Sequence, residues 1–517
     1  MDAIWYCHFI LFLTCRFILN GQVTAEKLSK THQSSSAKPK LLLISVAGFR
    51  KDYITRVNCT NLQKFVADGT SASYVETSMN VASIANHYSI VTGLYSESHG
   101  IISSTMFDSK LNRVFNSKTR ADPEWWNNVR PIWKEIENQG RGLSALCHWP
   151  GVYGPMVSTL HCNRRDSFKS DVDQALTWLE NDVKLVLLYS DDIKKAALKW
   201  GPFSQQAVSE VNKFDSILKY LMSKTRELNV NIILTSDGGV TDLKWDHVID
   251  LDQCIMPSSY VLIHAQATLL IYPKQGYTSL EIHKNLTKCA HTKVYLKENL
   301  PAHFHFSHHR RIPPVIAFVP LGSVVRSGKP VHWNINRILN GSLGVQKDMG
   351  GGGYHPGYES MRGVFYANGP SFQSALKNGA INNTDIYEIM CTILGITPQP
   401  NNVTFNIAKS FLKSTHSIQT NPTQSEINPK TSPTKTPHIV TSSSTKRVKT
   451  SRNHGLLGDL ELRGFLIFLA CAAGLLLVFC CVCCVHSMRK NIQGEFRKKA
   501  SVFPPLLSTN LTSSDEE

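Results

Sequence analysis

LLLISVAGFR, residues 41–50, is an apolar run, with a single serine at Ser45, that stops at a glycine and a basic residue. VNIILTSDGG, residues 230–239, repeats the pattern and stops at an aspartate and two glycines. A run that is apolar at nearly every position, rather than at alternate ones, belongs to a strand buried on both faces, as in parallel sheets covered by helices. Further runs are KLVLLY (184–189), SYVLIHA (259–265), ATLLIY (267–272) and RGVFYANGP (362–370). Helical periodicity marks PIWKEIENQG (131–140), DVDQALTWLEND (171–182), QQAVSEVNKFDSILKYLMSKTREL (205–228) and DIYEIMCTILG (385–395). This alternation predicts an α/β fold: a doubly wound, mostly parallel sheet with helices on both faces, spanning residues 40–412. Ligands of such sheets bind beyond the carboxyl ends of the strands, which singles out ISVAGFR (44–50) and LTSDGG (234–239). Taken by itself, a loop aspartate such as Asp237 also fits a helix cap or a turn.

The rest of the 517 residues flanks this body. Residues 1–25 hold apolar stretches at Phe9–Leu13 and Phe17–Leu19, followed by small residues, the pattern of a secretory signal peptide. Asp2 and Arg16 interrupt it, so an uncleaved anchor is the competing reading. Residues 413–463 are rich in Ser, Thr, Pro and Lys and read as an extended stalk. Gly464–Val485 carries no charge over 22 residues, long enough to cross about 30 Å of hydrocarbon. Basic residues follow at Arg489, Lys490, Arg497, Lys498 and Lys499, so the tail, 486–517, is expected in the cytosol and the large domain outside, a type I single-pass protein of the plasma membrane. The net charge of +16 lies partly in the stalk, where six bases face one acid between Ser414 and His454, and it does not imply a nucleic-acid partner.

Six of the 13 cysteines fall in the large domain: Cys59, Cys147, Cys162, Cys254, Cys289 and Cys391. In an oxidising compartment they can pair in fifteen ways, or two of them can stay as buried thiols. Asn58, Asn285, Asn340, Asn382 and Asn402 each open an Asn-x-Ser/Thr triplet and are glycosylation candidates.

The run ANHYSIVTGLYSESHGI (85–101) resembles the nucleophile segment of ectonucleotide pyrophosphatase/phosphodiesterases. The resemblance continues in order through DPEWWNNVRPIW (122–133), HWPGVYGP (148–155), LTSDGG and GYESMRGVFYANGPSF (357–372). It implies an alkaline-phosphatase-like fold in which two zinc ions assist a threonine nucleophile. Two such cations neutralise charge that develops during in-line displacement, and each needs several Asp or His ligands. It also implies the pairing of Cys254 with Cys289.

Carried over position by position, the resemblance leaves the metal site nearly empty of donors. Ala47 stands for the first aspartate, Lys194 and Leu198 for an aspartate and a histidine, and Gly238 and Gly352 for two histidines. Asp237 is the sole retained ligand, Ser83 takes the nucleophile position and Asn86 the oxyanion-stabilising one. No cofactor is therefore expected. His355, three residues beyond Gly352, could restore a ligand through an altered glycine loop. His303, His305, His308 and His309 of HFHFSHH could form a separate weak metal site, but line a surface strand in the plainer reading. An ammonium at Lys194 could fill the space of a lost cation and neutralise Asp237; alternatively it points to solvent. The preferred function is a catalytically silent, membrane-anchored glycoprotein that binds an extracellular partner or an anionic ligand. The alternatives are residual phosphodiester hydrolysis through Ser83 and a purely adhesive role.

Overall fold

A computed structural model describes residues 39–414, except 78, 80–81, 127–128, 153–157, 159, 163–165, 245, 266, 328–349 and 404–406. The signal segment, the span at 464–485, the stalk beyond 414, the tail and Asn340 lie outside the described residues. Among the described residues, no helix is long and apolar enough to cross a membrane.

The expected sheet is present. It contains β1 (Lys40–Val46), β2 (Thr70–Ala72), β3 (Ser144–Cys147), β4 (Leu160–His161), β5 (Leu185–Ser190), β6 (Val230–Thr235), β11 (Phe365–Asn368) and β12 (Leu376–Asn378), with β7–β10 given below. The spatial order is β12-β2-β11-β6-β1-β5-β3-β4. β1 lies at the centre, parallel to β5 through Leu41↔Leu185 and to β6 through Leu41↔Asn231. β11 alone runs antiparallel to its neighbours. The apolar run of β1 has the cause the sequence implied. Leu41 and Leu43 enter one core and Leu42, Ile44 and Val46 enter the other, on the opposite face. All five are buried, and truncating any one to alanine costs about 2–5 kcal/mol.

The first core is closed by α1 (Ser83–Thr92) and α5 (Asp385–Leu394). The second is closed by α2 (Phe168–Glu180) and α4 (Gln205–Thr225), with α3 (Asp192–Trp200) just after β5. Both α2 and α4 begin at a serine, Ser167 and Ser204, whose side chain accepts a backbone N–H of the first turn.

Two expectations are corrected. SYVLIHA and ATLLIY do not join the doubly wound sheet. They form β7 (Tyr260–Ala265) and β8 (Thr268–Pro273), a tight hairpin in a second sheet of order β7-β8-β10-β9, with β9 at Lys293–Leu296 and β10 at Val315–Phe318. Two residues between strands leave room only for an antiparallel return, whereas a parallel pair needs a crossover of a dozen or more. HFHFSHH is not a strand either. Ala302–Phe304 is a single 3-10 turn and His305 takes a left-handed conformation with φ 47°. Phe304 and Phe306 both turn into the core, and Glu97 holds the loop by accepting the N–H groups of Ser307 and His308.

A lysine-filled candidate functional site

β1, β5 and β6 end side by side, and the loops that follow them meet the N-terminus of α1. Ser83 is the first residue of α1, preceded by extended Ala82, so its hydroxyl faces the strand ends. Asp237 follows β6 and is buried. Lys194 lies in the first turn of α3. Its ammonium donates to Ser83 Oγ at 2.7 Å and to Asp237 Oδ2 at 3.2 Å, while the Ser83 hydroxyl donates to the same carboxylate oxygen. Asn86, one turn into α1, donates from Nδ2 to the backbone oxygen of Asp237 at 3.2 Å. Ser83, Asn86, Lys194 and Asp237 thus lie together, and Lys194 points into the site rather than to solvent.

Burial alone would raise the Asp237 pKa, but the Lys194 charge beside it, reinforced by the Ser83 and Lys194 hydrogen bonds, holds it down at about 2. Asp237 is therefore a carboxylate across the physiological range. The ion pair is shielded, with 17% and 2% of the two side chains exposed. The space between Ala82, Ser83, Asn86, Lys194, Asp237 and Gly353 is about 10 Å³, the size of one water.

Two features of this site escaped sequence reasoning. Gly48 (φ 73°) approaches Asp237 through its N–H, and a Cβ there would lie 2.8 Å from Lys194 Cα. His87 is fully buried, with Nδ1 2.7 Å from the Ser83 carbonyl and Nε2 2.7 Å from Ser45 Oγ. A carbonyl can only accept, so Nδ1 carries the proton and Nε2 accepts from Ser45. Burial pushes the imidazole pKa down, and the ring is neutral. His87 braces the first turn of α1, bonding the Ser83 carbonyl and not its hydroxyl. The spacing of four from Ser83 was the available hint, since such pairs share a helix face.

The residues present do not fit a pair of zinc ions. Ala47 is buried at the end of β1, Gly238 and Gly352 follow in their loops, and Leu198 lies one turn after Lys194 on α3. None of these side chains carries a lone pair for a metal. His355 does not rescue the site: its ring packs at 5.1 Å against both Phe304 and Phe318, and it lines other cavities. Among the described residues, the one set of three metal-type ligands within 4.8 Å is Cys147, Cys162 and Asp171, and its two cysteines are joined as a disulfide. The loop histidines 303, 305, 308 and 309 form no such set.

The pairing Cys254–Cys289 is present, Cys147–Cys162 is the second bridge, and Cys59 and Cys391 remain buried thiols. Of the glycosylation candidates, Asn58 and Asn402 are exposed while Asn285 and Asn382 are half-buried.

A doubly wound sheet with a hydroxyl nucleophile position at a helix N-terminus, faced by a strand-end aspartate, defines a phosphodiesterase-type hydrolase scaffold. Residues 41–336 match the family model for type I phosphodiesterase / nucleotide pyrophosphatase. Over 397 residues the chain is 36% identical to the human bis(5'-adenosyl)-triphosphatase ENPP4, covering 74% of this chain and 84% of that protein. It is 30% identical over 423 residues to human ectonucleotide pyrophosphatase/phosphodiesterase family member 5, covering 78% and 84%. A solved structure of murine ENPP5, an inactive form in complex with AMP, superposes with a TM-score of 0.65 at 28% identity, covering 73% of this chain and all 100% of that one. The chain belongs to the type I phosphodiesterase / nucleotide pyrophosphatase family.

Proposed function

We propose that the domain at residues 40–412 is a phosphodiesterase scaffold whose metal-dependent hydrolysis has been lost and which serves as a binding module for a phosphate-bearing ligand. The observation that carries this reading is the Lys194 ammonium within hydrogen-bond reach of both Ser83 Oγ and Asp237 Oδ2. A fixed cation beside the nucleophile position neutralises Asp237 without zinc, and the first turn of α1 adds backbone donors where a phosphate would approach. Murine ENPP5 was solved with AMP, so a nucleoside monophosphate is the first ligand to try.

Hydrolysis by Ser83 is the competing reading, favoured by the 36% identity to a triphosphatase. Against it stands the base available to Ser83. The carboxylate that accepts its proton has a pKa of about 2, far below the value near the working pH that general-base catalysis needs. The largest usual contribution, electrostatic stabilisation of the transferring group, would rest on one lysine already paired with Asp237.

The test combines the zinc content of the purified domain, hydrolysis of a nitrophenyl nucleotide ester and of bis(5'-adenosyl) triphosphate, and the melting shift given by AMP. The expected result is zinc at background, no turnover above blank, and an AMP shift that Lys194→Met removes. Stoichiometric zinc with turnover abolished by Ser83→Ala establishes the hydrolase instead; no shift with AMP or inorganic phosphate leaves the adhesive role. We further propose that Gly464–Val485 anchors the protein as a type I span with residues 26–463 outside the cell, which protease protection of the tail checks.

A further inference from the structure

Away from Ser83, a cavity of about 370 Å³ lies between the strand Val75–Glu76 and the histidine loop, lined by Tyr95, His303, Phe304, His305, His355 and Asn382 among others. Its size falls in the range of about 300–1,000 Å³ that encloses small organic groups. Its walls are set in place. The Tyr95 and His305 rings stack at 3.8 Å with 2° between their planes, and Phe304 meets His355 edge-on at 5.1 Å. Glu97 fixes the loop by accepting from Ser307 N at 2.7 Å and His308 N at 3.0 Å.

Asn382 on this wall is the first residue of Asn382-Asn383-Thr384, a glycosylation triplet. Its backbone is tied down, the N–H donating to Asp385 Oδ2 at 2.8 Å. Its carboxamide makes no hydrogen bond among the described residues. Of the other three triplets among the described residues, Asn285 Oδ1 accepts from Lys288 Nζ and Asn402 Oδ1 from Tyr95 N, while the exposed Asn58 does not line this cavity. Thr384 is fully buried, so modification at Asn382 has to precede folding of this segment.

We propose that Asn382 carries an N-linked oligosaccharide whose first N-acetylglucosamine units lie inside this cavity, with their apolar faces against Tyr95, Phe304 and the histidine rings. In the modification the Asn382 Nδ2 forms a bond to the anomeric carbon of a lipid-diphosphate-linked oligosaccharide. The lipid diphosphate leaves with the bonding electron pair, and the amide nitrogen loses one proton. The sugar is then a built-in ligand that covers aromatic surface, and the chain folds around it. The proposal rests on the reading that this domain enters the secretory pathway, which modification of the exposed Asn58 tests separately.

The test is glycopeptide mass spectrometry on the full chain from mammalian cells, followed by release with a peptide amidase before and after unfolding. Expected are an occupied Asn382 with a poorly trimmed, mannose-rich glycan, release at Asn382 only after unfolding, and release at Asn58 from the native protein. Exposed His303→Ala, and Tyr95→Ala if it folds, should make the Asn382 glycan releasable in the native state and further processed. Overturning results are an unmodified Asn382 beside a modified Asn58, no modification anywhere, or native release at Asn382 as fast as at Asn58.

Discussion

The Lys194 ammonium stands 3.2 Å from the buried Asp237 carboxylate, and it gets there because α3 starts at Asp192, immediately beyond the end of β5. The first turn of that helix aims its side chain back toward the strand ends, as helical side chains tilt toward their own N-terminus. The lysine thereby balances the charge of the buried carboxylate.

Removing the lysine should leave Asp237 as an uncompensated buried charge. Lys194→Met is expected to destabilise the domain by about 3–5 kcal/mol, and Asp237→Asn in the same chain to recover much of that loss. A double-mutant cycle of chemical or thermal unfolding measures this. Strictly additive losses would show that the two groups do not act as a pair.

The depressed Asp237 pKa sets a pH window. Its folded value, about 2, lies below the ordinary 3.8, so the stability it contributes is fully present above about pH 4 and is lost as the pH falls toward 2. The contribution is about 2 kcal/mol at neutral pH. Urea unfolding followed between pH 5 and pH 2 should steepen over that interval in the native sequence and flatten in Asp237→Asn.

Restoring single ligands should not restore zinc. Lys194→Asp leaves Leu198 and Gly352 without donors, and Gly238→His meets a backbone at φ 122°, a strain of about 1–3 kcal/mol for a side-chain-bearing residue. Elemental analysis is expected to find background zinc in each single variant. Near-stoichiometric zinc is expected only when Ala47→Asp, Lys194→Asp, Leu198→His, Gly238→His and Gly352→His are combined.

Non-reducing peptide mapping should recover Cys147–Cys162 and Cys254–Cys289, with alkylation labelling Cys59 and Cys391 only after unfolding. Losing the Cys254–Cys289 bridge, whose cysteines are 35 residues apart, is expected to cost about 2–5 kcal/mol. The Cys254→Ala/Cys289→Ala variant, followed by melting temperature, checks it.

The amino-acid sequence alone determined the central sheet, since runs apolar at nearly every position are stable only when helices cover both faces, as the split of Leu41–Val46 between two cores bears out. It also determined which donors a metal would lack, because a ligand's chemistry is a property of residue type: no fold gives Ala47, Leu198 or Gly352 a lone pair. Only the tertiary structure decided where the Lys194 ammonium lies. Lys194 could face solvent or site, and the choice depended on meeting Ser83 and Asp237 across 111 and 43 positions of chain. The same holds for His355 and the histidine loop, which local pattern left open and which packing on Phe304 and Phe318 settled. Local sequence carries propensity and chemistry over a few residues, whereas the direction of a side chain in a site depends on groups that only the closed fold brings within a few ångströms.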